Sequence, residues 1–85
     1  MNYFVYLIVT KNNNKIVSYV GYTNNLSKRL AHHNESRGAK FTRGRKWKFI
    51  YTKKYHSKKK AMSEEYRLKK DSKLRKEIKD KFFNA

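Results

Sequence analysis

The chain has 85 residues, no cysteine, and a formal net charge of +17 that arises from 23 Lys and Arg against 6 Asp and Glu. These values predict one small domain spanning residues 1–85, and they exclude a disulfide framework and a cysteine-based zinc site. The longest apolar run, residues 3–9, is too short for a membrane span or a signal-peptide core. We therefore expect a soluble cytoplasmic protein, monomeric or weakly oligomeric, whose positive field favours nucleic acid over a membrane surface.

The first third of the chain predicts a β-hairpin. Residues 3–10 are dense in β-branched and aromatic residues, and both faces of this strand are apolar, as in a central strand covered on both sides. Three consecutive asparagines within residues 11–15 indicate a turn. Residues 16–22 then return as the second strand.

A helix is predicted over residues 25–35, with turn and cap formers at its start. The i, i+3, i+4, i+7 positions of one helix face are Leu26, Arg29, Leu30 and His33. The guanidinium of Arg29 is therefore expected to project toward the body of the domain. An inward arginine needs a partner, which is either a carboxylate of the fold or an anionic ligand such as phosphate.

Residues 36–45 contain two glycines and no persistent period, so they predict a loop. This loop and the start of the next strand are rich in cations that we expect to bind nucleic acid, namely Lys40, Arg43, Arg45, Lys46 and Lys48. Residues 47–55 alternate between the two faces of a third strand, which is half exposed and basic on one side.

Two helices complete the predicted order. Ser57 caps a helix over residues 58–70, in which Glu65 is expected to point inward and Glu64 outward. Asp71 or Ser72 caps a last helix with an apolar stripe at i, i+4 and i+8. The order β-β-α-β-α-α predicts an α/β fold of the α+β type, with a small sheet flanked by helices.

Several short motifs occur in a characteristic order. They are Val5-Tyr6-Leu7, Tyr19-Val20-Gly21, Tyr22-Thr23, Arg29, His33-Asn34, Gly38-Ala39-Lys40, and Ala61 followed by Glu65. Over nearly its whole length the chain resembles the GIY-YIG nuclease superfamily, and its small stand-alone members most closely. The resemblance implies a three-stranded sheet and hydrolysis of a nucleic-acid phosphodiester with one divalent ion, Mg²⁺ or Mn²⁺. The first glycine of the family motif is replaced here by Phe4.

The residues themselves suit this chemistry. Glu65 is a hard oxygen ligand of the kind Mg²⁺ accepts, and the resemblance gives it the role of metal ligand. Arg29 can hold two phosphate oxygens as a fixed fork, and the resemblance makes it the phosphate-stabilising residue. Tyr6 and Tyr19 are the two candidates to orient or deprotonate the attacking water. His33 and Lys40 could assist by binding substrate or relaying a proton.

Other interpretations of the same residues stay open. The two tyrosines could simply pack as strand aromatics, and Arg29 could form a buried salt bridge with Glu65. We expect an endonuclease acting on structured or damaged DNA in repair or recombination, with DNA favoured over RNA and with a partner protein supplying specificity. The alternatives are a non-catalytic basic nucleic-acid-binding module and an interaction domain on the same fold.

Overall fold

The computed structural model describes residues 1–37 and 40–84, which form a three-stranded antiparallel sheet with three α-helices. The elements are β1 (Tyr3–Asn12), β2 (Lys15–Thr23), α1 (Leu26–Asn34), a short 3-10 helix (Lys40–Thr42), β3 (Lys48–Tyr55), α2 (Lys58–Lys70) and α3 (Ser72–Phe83). The predicted α+β fold and the element order β-β-α-β-α-α are confirmed. Two residues of the motifs, Gly38 and Ala39, lie outside the described residues.

The strand order is β2-β1-β3, so β1 is central, as its two apolar faces predicted. The hairpin turn between β1 and β2 consists of Asn13 and Asn14, with φ values of 50° and 68°. Asparagine tolerates this left-handed conformation, and two such residues make the tight turn that suits the twist of a hairpin. Because the turn needs only two residues, both strands extend further than predicted, and Lys11 pairs with Ile16.

The two faces of the sheet carry separate core clusters, because successive strand residues point to opposite sides. On one face α1 covers a cluster whose buried members are Tyr6, Ile8 and Trp47. On the other face α2 and α3 cover a cluster whose buried members are Val5, Leu7, Val20, Ala61 and Leu68. The alternation of β1 therefore directs the Tyr6 side chain toward α1.

Each α-helix begins at a side-chain cap. The side chains of Asn25, Ser57 and Asp71 accept hydrogen bonds from the backbone N–H groups three residues further on. These bonds satisfy donors that the first turn of a helix leaves without an intrahelical partner. They mark the starts of α1 and α2. Of the two residues predicted to cap α3, Asp71 and Ser72, the structure shows Asp71 as the cap.

Glu64 and Glu65 are neighbours on α2, and the prediction that Glu64 points outward is wrong. The exposed fraction of the Glu64 side chain is 16%, against 18% for Glu65. The reason is that α2 contacts all three strands and so buries a wide face, along which Ala61 and Leu68 are fully covered. Successive helix residues are about 100° apart, so the two glutamates flank this buried line on opposite sides.

Within the described residues, no helix combines the length and the apolar character that a membrane-spanning segment needs.

Candidate active site

The phenol of Tyr6 lies over Gly21 in the interior of the domain. The two residues are paired across β1 and β2, so their side-chain positions share one face of the sheet. A Cβ atom at position 21 would lie only 2.3 Å from the Tyr6 hydroxyl oxygen. A glycine at this position therefore leaves the space that the phenol occupies.

Two side chains of α1 contact the Tyr6 hydroxyl. The Nε–H of Arg29 donates a hydrogen bond to it over 3.3 Å, and Nε2 of His33 lies 2.8 Å from it. Arg29 and His33 are four residues apart and so project from the same face of the helix. The prediction that Arg29 points toward the body of the domain is confirmed.

The hydrogen-bonded chain continues from His33 into the loop that follows α1. Nδ1 of His33 lies 2.8 Å from Oγ1 of Thr42, at the end of the short 3-10 helix. Tyr6, His33 and Thr42 are all fully buried. We call Arg29, Tyr6, His33 and Thr42 the buried polar chain.

Burial sets the protonation states within this chain. It raises the pKa of Tyr6, an effect opposed by the hydrogen bond and charge of Arg29 and supported by the charges of Tyr19 and Glu65. Burial also lowers the pKa of His33 to about 4, with further contributions from the positive charges of Arg29 and His32. At neutral pH the phenol is therefore protonated and the imidazole is neutral.

Tyr19 extends the site toward the surface. It pairs with Ile8 and so lies on the same sheet face as Tyr6, and its ring centroid is 5.3 Å from that of His33. On its outer side it stacks with Phe41, with centroids 6.1 Å apart and an interplanar angle of 22°. Tyr19 is half-buried, whereas Phe41 is 52% exposed.

Glu65 is near this cluster without a direct bond to it. Its charge acts on Tyr6, but its carboxylate forms an ion pair with Lys69 over 3.4 Å. The salt bridge between Arg29 and Glu65 that the sequence left open does not form. Among the described residues, Arg29 forms no ion pair with any carboxylate.

The side chain of Arg29 also reaches the surface at one end of the sheet. There it lines a cleft together with Tyr22, Thr23, Asn24 and Lys58. No acidic residue is among the described residues that line this cleft, and Lys58 is the first residue of α2. Two cations and a helix N-terminus make this end of the sheet attractive to an anion.

The predicted nucleic-acid-binding cations fall into two groups. Lys40, Arg43 and Lys46 are exposed on the loop, and Arg45 is half-buried with its guanidinium 5.2 Å from the centre of the Phe41 ring. In contrast, the Lys48 ammonium lies 5.0 Å from the ring centre of Phe82, at the end of α3. Lys48 therefore contacts α3, whereas Arg45 contacts Phe41 of the short 3-10 helix.

Sequence reasoning missed two residues that connect the loop to the site. The side-chain oxygen of Asn34 accepts the Trp47 backbone N–H over 2.6 Å, and its amide donates to the Trp47 carbonyl over 3.2 Å. The Trp47 indole N–H donates to the carbonyl of Thr42 over 3.0 Å. Asn34 was visible only as part of a motif, and nothing in the sequence singled out Thr42 within a basic loop.

The fold and this site together define a small basic α+β domain with a buried polar chain next to a cationic cleft. Comparison with known proteins identifies the family. A model described as the GIY-YIG catalytic domain matches residues 2–78, and the chain belongs to this family. The resemblance read from the motifs is thus confirmed, and membership implies a nuclease-type catalytic domain.

Individual relatives carry the name UPF0213. A UPF0213 protein of Oceanobacillus iheyensis is 54% identical over 52 residues, which cover 60% of each chain. The UPF0213 protein YazA of Bacillus subtilis is 38% identical over 78 residues, which cover 91% of this chain and 76% of YazA. The solution NMR structure of a UPF0213 protein from Bacillus halodurans is 37% identical, with a TM-score of 0.49, and covers 91% of this chain and 80% of that chain.

Proposed function

We propose that this protein is a metal-dependent endonuclease-like domain that hydrolyses a phosphodiester of nucleic acid, with DNA as the favoured substrate. The observation that carries the proposal is the contact of Arg29 and His33 with the hydroxyl of Tyr6. This arrangement joins a phosphate-binding group, a proton acceptor and a phenol within one hydrogen-bonded unit. It lies in a chain whose net charge of +17 attracts polyanions.

Arg29 is the residue we assign to the phosphate. Its guanidinium has no carboxylate partner among the described residues, yet it lines a cleft that Lys58 makes still more positive. A half-buried arginine without a counter-ion favours an anionic ligand, and its fork can hold two phosphate oxygens. An incoming phosphate would also raise the pKa of His33, because the charge of Arg29 helps to depress it.

Tyr6 is the residue we assign to water activation, with Tyr19 orienting the water from its more exposed position. Tyr6 has an internal proton acceptor in His33 at 2.8 Å and a cation, Arg29, that would stabilise a phenolate. Tyr19 has the surface exposure that Tyr6 lacks. General base catalysis by such a group contributes roughly 10²- to 10⁴-fold to a rate.

The residues present fit a divalent metal ion held by one carboxylate. Among the described residues, no group of three His, Cys, Asp or Glu side chains could enclose a metal. Mg²⁺ does not require such a group, because it keeps several waters and accepts one or two carboxylates together with substrate phosphates. Glu65 is the candidate ligand, and an ion bound there would supply positive charge to the phosphoryl oxygens.

The proposal is tested by comparing two neighbouring glutamates. Wild-type protein is expected to nick or cleave DNA in the presence of Mg²⁺ or Mn²⁺, and Glu65→Gln to lose this activity. Glu64→Gln is the matched control, because Glu64 is equally covered but pairs with Lys60 and Arg67 on the other side of α2. Glu65→Gln protein that cleaves at the wild-type rate would refute the assignment of the metal ligand.

The substrate structure is tested with a panel of oligonucleotides. We propose structured or damaged DNA as the preferred substrate, so flapped, branched and lesion-containing DNA should be cleaved faster than plain duplex and RNA. Equal rates on all substrates would instead favour specificity supplied by a partner protein.

One observation favours a non-catalytic nucleic-acid-binding module as the second candidate. The hydroxyl of Tyr6 is buried and both of its side-chain partners lie on α1, so water reaches it only if the surrounding residues move. Under this alternative, the protein binds DNA with the same affinity in the presence and absence of metal and cleaves nothing on the panel.

A further inference from the structure

The hydrogen bonds of the Tyr6 hydroxyl determine where its proton points. The Nε–H of Arg29 can only donate, so the phenolic oxygen accepts that bond. The other partner of this oxygen among the described residues is Nε2 of His33, at 2.8 Å. Tyr6 is fully buried, so its O–H proton has a hydrogen-bond acceptor only if Nε2 carries no proton.

The balance of donors and acceptors around the Tyr6 hydroxyl favours one tautomer of His33. In a neutral imidazole one nitrogen carries the proton, and an unprotonated Nε2 requires an Nδ1–H group. That group lies 2.8 Å from Oγ1 of Thr42, which can accept its proton. The opposite tautomer would make Nε2 a donor to Tyr6 and leave the Tyr6 O–H group buried without an acceptor.

We propose that Thr42 is a positioning residue whose hydroxyl oxygen holds His33 in the Nδ1–H tautomer, so that Nε2 faces Tyr6 as a proton acceptor. The role of this tautomer in cleavage rests on the proposed function, whereas the tautomer itself does not. In the reactive step the Tyr6 O–H bond breaks and an N–H bond forms at Nε2, while the phenol oxygen takes a proton from the attacking water. The Tyr6 O–H bond is thereby restored, and the products are the hydroxide that attacks the phosphorus and an imidazolium whose Nδ1–H still donates to Thr42.

The position of Thr42 agrees with such a role. It is the one fully buried residue of the short 3-10 helix, between exposed Phe41 and exposed Arg43. Its carbonyl is held by the indole of Trp47, and Trp47 is itself held by Asn34 of α1. The hydroxyl is therefore anchored to the same helix that carries His33.

The tautomer can be measured directly in ¹⁵N-labelled protein at neutral pH. Long-range ¹H–¹⁵N correlation spectra distinguish protonated from unprotonated ring nitrogens of His33. We expect a protonated Nδ1 and an unprotonated Nε2 in the wild type and in Thr42→Ser, which keeps the hydroxyl. Thr42→Val has nearly the same shape without the hydroxyl, so Nδ1–H loses its acceptor there, and we expect the fraction of the Nε2–H tautomer to rise above that of the wild type.

Cleavage by the same variants gives the second measurement. Thr42→Val should lower kcat by roughly ten- to a hundred-fold with little change in KM, because it removes a part of the general-base contribution to the rate. Thr42→Ser, which keeps the hydroxyl, should retain most of the wild-type kcat. An Nε2–H tautomer in the wild type would overturn the proposal. So would an unchanged Nδ1–H tautomer in Thr42→Val, or in Thr42→Ala if the valine variant does not fold.

The two proposals fail in different ways. A wild type with the expected tautomer but no cleavage on any substrate refutes the endonuclease function and leaves the role of Thr42 in the tautomer intact. Glu65-dependent cleavage together with the opposite tautomer supports the endonuclease and refutes the role of Thr42.

Discussion

At the scale of single residues, Gly21 and Tyr6 are the most tightly matched pair in the site. Gly21→Ala would bring a Cβ atom to 2.3 Å from the Tyr6 hydroxyl oxygen, so the phenol must move. We expect the variant to lose roughly 1 to 3 kcal/mol of unfolding free energy through overpacking. We also expect its cleavage rate to fall by more than the loss of folded protein explains, because the hydrogen bond between Tyr6 and His33 is broken.

Gly44→Ala is the control for this substitution. Gly44 has a φ of +74°, and no heavy atom lies within 4 Å of the place that an alanine Cβ would take, so an alanine meets strain but no neighbour. Its cost should be about 1 kcal/mol in urea unfolding, without loss of kcat beyond the loss of stability; cleavage is compared at saturating DNA, because Gly44 lies between Arg43 and Arg45 of the loop that we expect to bind DNA. Similar losses of cleavage in the two variants would show that Gly21 acts through general stability and not through Tyr6.

The low pKa of His33 in the folded state leads us to expect that the unfolding free energy depends on pH. Burial, Arg29 and His32 lower its pKa in the folded state from 6.5 to about 4. Between these values the unfolded chain binds a proton that the folded chain does not, so stability falls as pH falls. The stabilisation is fully present above pH 6.5, and roughly 2 to 3 kcal/mol of it should be lost by pH 4.

The measurement is urea unfolding of the wild type and His33→Gln at a series of pH values. Both proteins share the acid titration of the carboxylates, so the difference between them isolates His33. The stability advantage of the wild type over the variant should shrink by roughly 2 to 3 kcal/mol from pH 7 to pH 4. A constant difference across this range would contradict the low pKa of the buried imidazole.

At the scale of elements, α1 was predictable because its information is local. The spacing of Arg29 and His33 places both on one face, and Asn25 marks the start of the helix where the cap is observed. The central position of β1 followed in the same way from its two apolar faces. Periodicity specifies which face turns inward, so it could indicate that Arg29 meets the body of the domain.

The same reasoning failed where contacts depend on tertiary packing. Glu64 was expected outside because the helix pattern does not show that α2 crosses all three strands. Thr42 and Asn34 contact partners through the loop that follows α1, and no period reports such contacts. The sequence left the partner of Arg29 open between a carboxylate of the fold and an anionic ligand. It did not indicate the contact with Tyr6, because that contact depends on how α1 is placed on the sheet.

A double-mutant cycle can test whether Arg29 of α1 and Glu65 of α2 contribute to stability independently of each other. Arg29 contacts Tyr6 and Glu65 contacts Lys69, so Arg29→Ala and Glu65→Gln share no direct bond. Their effects on unfolding free energy should add to within about 0.5 kcal/mol, while each alone abolishes cleavage. Thermal or urea unfolding of the two single variants and the double variant measures this.

The positive control is the cycle of Tyr6→Phe with His33→Gln, whose parent side chains are 2.8 Å apart. This pair should be coupled by roughly 0.5 to 3 kcal/mol, as residues of one hydrogen-bond network are. Coupling of similar size between Arg29 and Glu65 would indicate a structural ion pair instead of separate phosphate and metal ligands.

At the scale of the whole molecule, the sequence predicted the charge but not its arrangement. A net charge of +17 predicts polyanion binding whatever the fold. The structure separates Lys48, which lies over Phe82, from the loop that carries Arg43, Arg45 and Lys46. The loop cations surround a shallow cavity with Lys11, and no acidic residue is among the described residues that line it. The loop is therefore the part of the surface where we expect the phosphate backbone to bind.

Salt dependence provides the test. Neutralising about four to eight phosphates should give a slope of about −4 to −7 for log K against log salt concentration on duplex DNA without metal.

Replacing Arg43, Arg45 and Lys46 together by alanine should make the slope shallower by about 2 to 3 and weaken binding to unrelated sequences alike. The matched control removes the same charge from exposed positions of α3, by alanine substitution of Lys73, Lys76 and Lys81. Fluorescence anisotropy titrations at several salt concentrations measure both variants. An equal change in slope for the two triple variants would show that the net charge, and not the loop, determines binding.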